Sequence, residues 1–497
     1  MQRATILFLL STLATTGAAA QTPSLAKFGG AAPGVTTLTV EGTPGAVYLL
    51  LGATEEVTTP LFTGAVLDIP LGLLATTISL PGFLGVLDGY GEGVGTLALP
   101  SDASLWSMTL SLQALVGPLF DTPSNLVRVT PQAPESFRAT LEAAPLPTFG
   151  GSISTLADGS VLIVEASATA TQSYDADREE FALGWPIVGG GLFSTATALD
   201  DGRVLVTGGL DLAGAPTADA GVFDPTTGSF TALSMATPRA GHAATRLGDG
   251  RVLVSGGLSQ FDLADLLGTI TAVLNSTELF DPSTNTFSAG ANMLEGRAFH
   301  TSSELGNGGA LIAGGLATLP IINVPTVSNT AYAYNPNSNS FGLPALFSTG
   351  RFLHSAVTQD DGRVLLVGGL SVDLTAYLAS QDLADLVIGA LDDVQRYQPG
   401  FFGGFSTVGT LGAPRAGAGV VKLPGGGALV VGGFELTLGG GAFGLAGSAA
   451  ADRVGGSGVT PLADMAETRI LPLCTQLDDG TILVVGGGTT SATVFQP

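Results

Sequence analysis

Short apolar runs framed by turn residues recur along most of the chain. The clearest copies read Asp-Gly-Arg-Val-Leu-Val-x-Gly-Gly and occupy 201–209 and 249–257, with close variants at 361–369 and 479–487. Looser copies lie at 307–315 and 425–433, and the copy at 158–164 lacks the glycine pair. A turn followed by an apolar run predicts a β-hairpin, and paired glycines leave room for a neighbouring backbone. The pattern therefore predicts seven hairpins between residues 157 and 487.

Two further marks place each hairpin in a four-stranded unit. Downstream, an aromatic-Asx-Pro turn followed by Phe predicts a third and a fourth strand; the copies are Phe223-Asp224-Pro225 with Phe230, Phe280-Asp281-Pro282 with Phe287 and Tyr334-Asn335-Pro336 with Phe341, with variants from Tyr397 and Tyr174. Upstream, an Arg precedes a His by three residues at Arg239 and His242, Arg297 and His300, and Arg351 and His354, whereas Arg415 and Arg469 lack the His. One such sheet cannot bury both faces, so the units are expected to stack on copies of themselves.

This order of marks resembles that of kelch-repeat β-propellers. The turn glycines recur at 159, 202, 250, 308, 362, 426 and 480, a spacing close to the roughly 50 residues of a kelch unit. The resemblance covers 137–497, although Phe stands where the family usually has Trp. It implies a seven-bladed kelch-like β-propeller. In that ring the strand around Phe137 would complete the blade that ends at Phe495 and leave no open sheet edge.

The first part of the chain predicts a different unit. Residues 35–40 and 46–51 read as short strands, and 105–116 alternates apolar with polar side chains at the period of a half-buried strand. We expect a small antiparallel β-sandwich over 21–117 and a linker over the proline-rich 118–136. Residues 1–20 combine Arg3, an apolar centre and Ala18-Ala19-Ala20, which is the order of a secretory signal peptide. The predicted fold class is all-β.

Composition and charge narrow the environment and the partners. The 72 glycines and 12% charged residues fit many tight turns better than charged helices. The formal net charge of -24, from 41 acids and 17 bases, opposes binding to nucleic acid or to an anionic membrane. No segment after residue 20 is apolar over the length that a bilayer requires, and the single Cys474 excludes an internal disulfide. We expect a secreted protein, periplasmic or extracellular, without membrane insertion.

The segments between second and third strands differ most from repeat to repeat. Asp-Leu-Ala-Asp-Leu occurs at 262–266 and again at 382–386, and apolar residues at 263, 266, 267 and 270 predict a short amphipathic helix. Since these segments occupy equivalent places, they should meet on one rim, where variable loops on a rigid scaffold commonly bind partners. The candidate binding residues are Asp262, Asp265, Tyr377, Asp382 and Asp385.

The resemblance raises the question of a copper site, because the family includes galactose oxidase-like copper radical enzymes. Such a site needs several His and Tyr ligands and a Cys crosslinked to Tyr. This chain has three His, each at the same repeat position, and its Cys474 is flanked by leucines. The equivalence favours a structural role for His242, His300 and His354, namely a hydrogen bond to a neighbouring backbone carbonyl. The repeat arginines are expected to pair with an Asp of the turn or of the next blade.

A second interpretation of these residues stays open. His242, His300 and His354 belong to adjacent repeats, so together with Arg239, Arg297 and Arg351 they could line the mouth of a central channel and hold a metal or an anionic ligand. Hydrolase motifs are missing from the sequence. The sequence therefore favours a non-catalytic binding protein for an unidentified protein or carbohydrate, without a cofactor. The alternatives are a galactose oxidase-like copper enzyme and a structural component of the cell surface or matrix.

Overall fold

The computed structural model describes residues 21–497, except 30, 33, 55, 57–58, 61–65, 68–81, 100–107, 118–121, 166–170, 188, 263–264, 319–323, 374, 381–385, 401–402 and 440–441. The predicted signal peptide, 1–20, lies outside the described residues. The secondary structure is almost entirely β-strand, in antiparallel sheets, with two short helices, Leu266–Thr271 and Thr375–Ser380. No helix of the described residues is long and apolar enough to cross a membrane.

Seven antiparallel sheets between residues 136 and 496 share one plan, in which four strands lie side by side. Sheet 1 contains Ser152–Thr155, Val161–Val164, Thr171–Asp175 and Glu180–Leu183; sheet 2 contains Thr195–Ala198, Val204–Thr207, Asp219–Asp224 and Ser229–Ser234; and sheet 3 contains Ala243–Arg246, Val252–Ser255, Thr277–Asp281 and Thr286–Ala289. Sheet 4 contains Thr301–Glu304, Ala310–Ala313, Thr330–Asn335 and Ser340–Phe341, with Ala345–Leu346 also paired to its third strand.

The remaining three sheets follow the same order along the chain, except at the last strand. Sheet 5 contains Ser355–Thr358, Val364–Val367, Asp393–Gln398 and Gly404–Thr410, and sheet 6 contains Gly419–Lys422, Ala428–Val431, Ala451–Gly455 and Gly458–Pro461. Sheet 7 takes Pro472–Gln476, Ile482–Gly486 and Ala492–Gln496 from the end of the chain and Ser136–Ala139 from before sheet 1. The prediction that the strand around Phe137 pairs with the strand around Phe495 is confirmed, and the register places these two residues opposite each other.

The seven sheets pack in a closed cycle. The second strand of every sheet is buried along its whole length, because it is apolar on both faces. Alternate side chains enter two different cores: Val252 and Val254 pack against sheet 2, whereas Leu253 packs against sheet 4. Each neighbouring pair of sheets shares one such cluster, and the cluster that contains Ile163 and Leu483 joins sheet 7 to sheet 1. The first strands likewise contact one another from sheet 1 round to sheet 7 and back.

Two smaller sheets precede this ring and share one core. One contains Ser24–Phe28, Gly34–Glu41 and Glu92–Leu99, and the other contains Leu84–Val86, Val47–Ala53, Leu110–Val116 and Thr122–Val129. Leu38 and Val40 of the first sheet pack against Leu50, Leu112 and Val127 of the second. A separate pair of two-residue strands joins Thr59–Pro60 to Val66–Leu67.

The boundary predicted for the linker is wrong. Thr122–Val129, inside the expected linker 118–136, pairs with Leu110–Val116 as the edge strand of the second sheet. An edge strand tolerates proline because one of its sides has no strand partner, and Pro123 lies in this strand. The strand expected over 105–116 begins at Leu110 in the structure, and 105–107 lie outside the described residues.

The ring has two unlike ends. Because the strands of each sheet alternate in direction, the first and third turns lie at one end and the second-to-third connection lies at the other. We call the first end the turn face, where the turns of neighbouring sheets touch: Gly248 N donates to Gly308 O at 2.9 Å. The other end, with the second-to-third connections and the links between sheets, is the insert face. The N-terminal unit contacts the turn face, where Gly29 N donates to Asp479 O and Arg128 N donates to Asp177 O.

Candidate functional site: the insert face

The long connections of sheets 3 to 6 contain secondary structure of their own. Sheet 3 contributes the helix Leu266–Thr271, and sheet 5 contributes Thr375–Ser380 between the paired strands Leu370–Asp373 and Val387–Ala390. Sheet 4 contributes Leu316–Thr318 and Pro325–Val327, which pair with each other and, through the former, with Arg297–Ala298. Sheet 6 contributes the hairpin of Phe434–Gly439 and Ala442–Gly447. We call these four connections the inserts.

The inserts pack side by side in chain order. The helix Leu266–Thr271 contacts both strands of the sheet 4 insert, Pro325–Val327 contacts Leu370–Asp373, and Val387–Ala390 contacts Phe434–Gly439. Beneath them a shared apolar cluster includes Leu370 and Phe434, both buried. The sequence-based expectation that these segments lie together is therefore met by contacts between successive inserts.

A row of left-handed residues lies beneath the inserts, one per sheet, two residues after the repeat Arg where that residue is present. The seven residues, which we call the inner collar, have φ between +50° and +65°: Gly150, Phe193, Gly241, Phe299, Leu353, Gly417 and Leu471. Gly241 N donates to Phe193 O at 3.0 Å, Phe299 N to Gly241 O at 2.8 Å, and Leu353 N to Phe299 O at 3.0 Å. A bulky residue in this region of φ is strained by about 1–3 kcal/mol, so the surrounding structure must hold it there.

Large and small residues alternate in part of the collar. The rings of Phe193 and Phe299, two sheets apart, pack edge to face with their centroids 4.9 Å apart. They can meet because Gly241 stands between them: a Cβ atom there would lie 2.7 Å from the Phe299 ring. Phe299, Leu353 and Leu471 also pack against the apolar cluster under the inserts. The collar is therefore an apolar floor at the centre of the insert face.

The three histidines connect neighbouring sheets. His242 Nε2 lies 2.9 Å from Thr207 Oγ1 of the preceding sheet, His300 Nε2 lies 2.9 Å from Ser255 Oγ, and His354 Nε2 lies 2.9 Å from Thr301 Oγ1. The hydrogen-bond partner of each ring is a side-chain hydroxyl, so the prediction of a backbone carbonyl as the partner is wrong. All three rings are buried, and burial, with the charge of the nearby repeat arginines, holds their pKa values far below normal, to about 3 for His242. The histidines are therefore neutral.

The repeat arginines link each sheet both to itself and to its predecessor. The Arg239 side chain donates to Gly256 O, the first paired glycine of its own sheet, at 2.6 Å and to Glu278 Oε1 at 2.8 Å. Its backbone carbonyl accepts from Gly209 N of the preceding sheet at 3.0 Å. Arg351 donates in the same way to Gly368 O and to Asp393. The acidic partners of Arg239, Arg351 and Arg415 lie in the third strand of the same sheet, whereas Arg297 pairs with Glu295, two residues before it. The expected pairing with an Asp of the turn or of the next blade is therefore wrong.

These contacts place the candidate channel-mouth residues inside the protein. The side chains of Arg239, Arg297 and Arg351 are fully buried, and those of the three histidines are buried almost as completely. Among the described residues no group of three or more His, Cys, Asp or Glu side chains is arranged to hold a metal ion. Cys474 is packed with Leu429 and Val431, and burial raises the pKa of its thiol to about 12.

The five candidate rim residues belong to the inserts of sheets 3 and 5. Asp265 is the N-cap of the helix Leu266–Thr271, where its side chain accepts a hydrogen bond from Gly268 N at 2.8 Å. The backbone N and O of Asp262 both bond to the Thr269 hydroxyl, which closes the loop onto the helix. Tyr377 lies in the helix Thr375–Ser380, and only its backbone is described. Asp382 and Asp385 lie outside the described residues.

Residues that the sequence analysis missed hold the insert face in place. The acidic partners Glu278, Asp393 and Asp452 recur at the start of the third strand, and this recurrence is a signal that could have identified them. The inner collar has a weaker sequence signal, because its position is occupied by glycine in some repeats and by Phe or Leu in others. The acidic partners and the collar residues have a structural role, because both shape the surface on which the inserts lie.

The junction between the N-terminal unit and the turn face is charged and partly buried. Lys27 Nζ donates to Arg128 O at 2.6 Å and lies 3.6 Å from Asp479 Oδ2. Glu179 accepts two hydrogen bonds from Arg138, at 2.8 and 2.9 Å. Asp177 Oδ2 accepts from Asn125 Nδ2 at 2.9 Å, and burial raises the pKa of Asp177 to about 6. The N-terminal unit is thus held at the opposite end of the ring from the inserts.

Comparison with known proteins gives only distant likeness. No protein-family model and no curated protein sequence matches the chain. Among solved structures, "Structure of YjhT" aligns at a TM-score of 0.49 and 19% identity, over 65% of this chain and 100% of that one. A "novel fungal alcohol oxidase with catalytic diversity among the AA5 family, in complex with copper" aligns at a TM-score of 0.39 and 15% identity, over 63% of this chain and 75% of that one. At these values the likeness adds nothing to what the sheets themselves show.

Proposed function

We propose that the chain is an exported, non-catalytic binding protein that recognises a protein or a glycan through the insert face. In this proposal the seven sheets are the blades of a seven-bladed kelch-like β-propeller, and the N-terminal sheets are a small β-sandwich fixed to its turn face. The cyclic packing of the sheets supports the first part. The docking of the N-terminal unit on the other end supports the second, because it leaves the inserts open.

The observation that carries the proposal is the packing of four unequal inserts into one continuous arc. A connection that only joined two strands would need a few residues, as in sheet 7, where 487–491 suffice. The inserts of sheets 3 to 6 instead contain two short helices and paired strands, and successive inserts contact one another over a shared apolar cluster. Variable segments held on a rigid frame are a common way to build a recognition surface.

The test compares the full chain with a variant that lacks two inserts. Residues 260–271 and 372–388 are replaced by Gly-Ser turns, which leaves Ser276 and Asp393 in place to hold Arg239 and Arg351. Both proteins are immobilised and offered a glycan array and an extract from the producing cells. We expect the captured partner to be lost from the trimmed variant, provided that its melting temperature stays near that of the full chain. Equal capture by both proteins contradicts the proposal.

A control separates loss of the inserts from general surface change. The triple variant Asp158→Asn, Asp224→Asn and Asp281→Asn alters only the turn face and should capture the partner normally. Metal analysis of the purified full chain tests the copper alternative independently. One tightly held copper ion per chain would favour an enzyme over a binding protein.

A further inference from the structure

The basic residues of the chain are distributed unequally between the two faces. Only Arg3 lies outside the described residues. The five repeat arginines are buried: Arg239, Arg297, Arg351, Arg415 and Arg469. All others lie in the N-terminal unit, at its junction, or on the strands and turns of the turn face: Lys27, Arg128, Arg138, Arg178, Arg203, Arg246, Arg251, Arg363, Arg396, Lys422 and Arg453. In the described part of the chain, the insert face therefore exposes no base.

Acidic side chains are exposed on the same face. Asp211 lies in the connection of sheet 2, Asp373 and Glu435 lie in inserts, and Asp464 and Glu467 lie in the link from sheet 6 to sheet 7. Their hydrogen bonds come from neutral donors: Asp211 accepts from Ala213 N and Ala215 N, and Glu467 accepts from the hydroxyls of Thr489 and Ser491. Glu467 and Asp464 lie near the buried Arg469 and Arg415, but no exposed base of the described residues lies on this face, and exposed acids produce a negative potential over a surface.

Apolar side chains are also exposed on the insert face. Leu212, beside Asp211, is 82% exposed, Val387 is 65% exposed and Leu445 is 52% exposed. Val387 lies directly opposite Asp373 in the hairpin register, so the two side chains share one face, which is turned away from the buried cluster. On the other face of the same hairpin, Val372 and Ile388 pack into the cluster under the inserts. The outer face of this hairpin therefore presents both an apolar and an acidic side chain.

We propose that the partner of the insert face is a basic protein segment whose Lys and Arg residues alternate with apolar side chains. This inference rests on the proposed function and narrows its partner class. The acids attract the basic side chains, and the exposed apolar residues are covered by the others. Nucleic acid is repelled by the same acids.

The experiment measures the binding of synthetic peptides to the full chain by fluorescence anisotropy. Three labelled peptides of equal length alternate Lys with Leu, Lys with Ser, or Glu with Leu. We expect the Lys-Leu peptide to bind about tenfold tighter than the Lys-Ser peptide, and the Glu-Leu peptide not to bind. Raising the salt concentration should weaken the Lys-Leu complex, since screening acts on exposed charges. Equal binding of the Lys-Leu and Lys-Ser peptides, or tighter binding of the Glu-Leu peptide, overturns the inference.

Matched variants separate a local surface from the general negative charge of the protein. Asp373→Asn, Glu435→Gln and Asp464→Asn neutralise three acids of the insert face, and the turn-face variant with Asn at 158, 224 and 281 neutralises three acids elsewhere. We expect at least about fivefold weaker binding of the Lys-Leu peptide by the first variant and less than about twofold weakening by the second. Equal weakening by both variants, at unchanged melting temperatures, overturns the inference.

The natural partner distinguishes failure of this inference from failure of the proposed function. If the trimmed variant loses the partner but the insert-face neutralised variant captures it normally, the insert face binds a partner of another chemistry, and only the present inference is wrong. If the trimmed variant captures the partner as well as the full chain does, the proposed function itself is wrong. Loss of the partner from both variants supports the two proposals together.

Discussion

Phe137 and Phe495 face each other across the strand pair that joins the two ends of the ring. Their ring centroids are 4.9 Å apart, and the backbone register places the two residues directly opposite. Both side chains pack into the cluster shared by sheets 6 and 7. The equivalent pair in sheet 4, Tyr334 and Phe341, comes from consecutive strands and has centroids 5.2 Å apart. The contact between Phe137 and Phe495 therefore has the same form as the aromatic contact within sheet 4, although its two residues are far apart in the sequence.

Removing the closing strand should destabilise the whole ring. Replacement of residues 136–142 by Gly and Ser deprives Ala492–Gln496 of its partner and leaves an open sheet edge. We expect a fall in melting temperature of roughly 10 °C or more, since a loss of about 1 kcal/mol shifts a large domain by about 2–4 °C. The same replacement at 211–215, a loop of sheet 2, should change the melting temperature far less. An unaltered melting curve would contradict closure by this strand.

The buried pair of Arg415 and Asp452 offers a test of the links within a sheet. Both side chains are almost fully buried, and burial lowers the pKa of Arg415. Substituting Arg415→Ala leaves the Asp452 carboxylate unpaired and should cost about 3–5 kcal/mol of unfolding free energy. The double variant Arg415→Met with Asp452→Asn should recover much of this, because Asn can still accept from Gly412 N.

An exposed pair that includes a residue of the same strand as Asp452 serves as the control for that prediction. Arg453 and Glu135 are each almost half exposed. Arg453→Ala should therefore cost less than about 1 kcal/mol in the same urea titration. Comparable losses for Arg415→Ala and Arg453→Ala would show that the repeat arginines do not support the sheets.

Acid should destabilise the ring through its histidines. The folded-state pKa values of His242, His300 and His354 lie far below the unfolded value of about 6.5. In the unfolded chain these histidines are therefore protonated at a higher pH than in the folded chain. The free energy of unfolding falls as the pH falls from about 6.5 towards 3. Each histidine adds up to about 1.4 kcal/mol per pH unit in this window. Urea titrations from pH 7.5 to 4.5 measure the slope, which should flatten in a variant with all three changed to Gln. A slope that is identical in the variant argues against buried neutral histidines.

The junction should respond to pH in the opposite direction. The pKa of Asp177 is raised by burial to about 6, while Lys27 acts against the rise and Asp175, Asp478 and Asp479 add to it. Between about pH 4 and 6 the folded protein keeps a proton that the unfolded chain has released, so this residue's contribution to stability falls as the pH rises. The difference in unfolding free energy between Asp177→Asn and the unmodified chain should grow by up to about 1.4 kcal/mol per pH unit in that window. A constant difference contradicts the prediction.

The hairpins could be predicted from sequence because their signal is local. An Asp-Gly turn, a buried run such as Val252–Ser255 and a glycine pair are each decided by neighbouring residues. The partner of Arg239 could not, because Glu278 becomes its neighbour only through the register of the third strand. The same holds for the strand Thr122–Val129, because its proline and polar residues suit an edge position that only the complete sheet defines. The packing of insert on insert likewise depends on the closed ring.

The inner collar makes the order of the repeats matter. Phe193 and Phe299 touch only because the repeat between them carries Gly241. A copy of sheet 4 placed where sheet 3 stands would bring a third phenylalanine into that space, although every hydrogen bond of the sheet itself would be kept. The seven sheets share one strand plan, but the residues that they contribute to the inner collar differ, so one sheet cannot simply replace another.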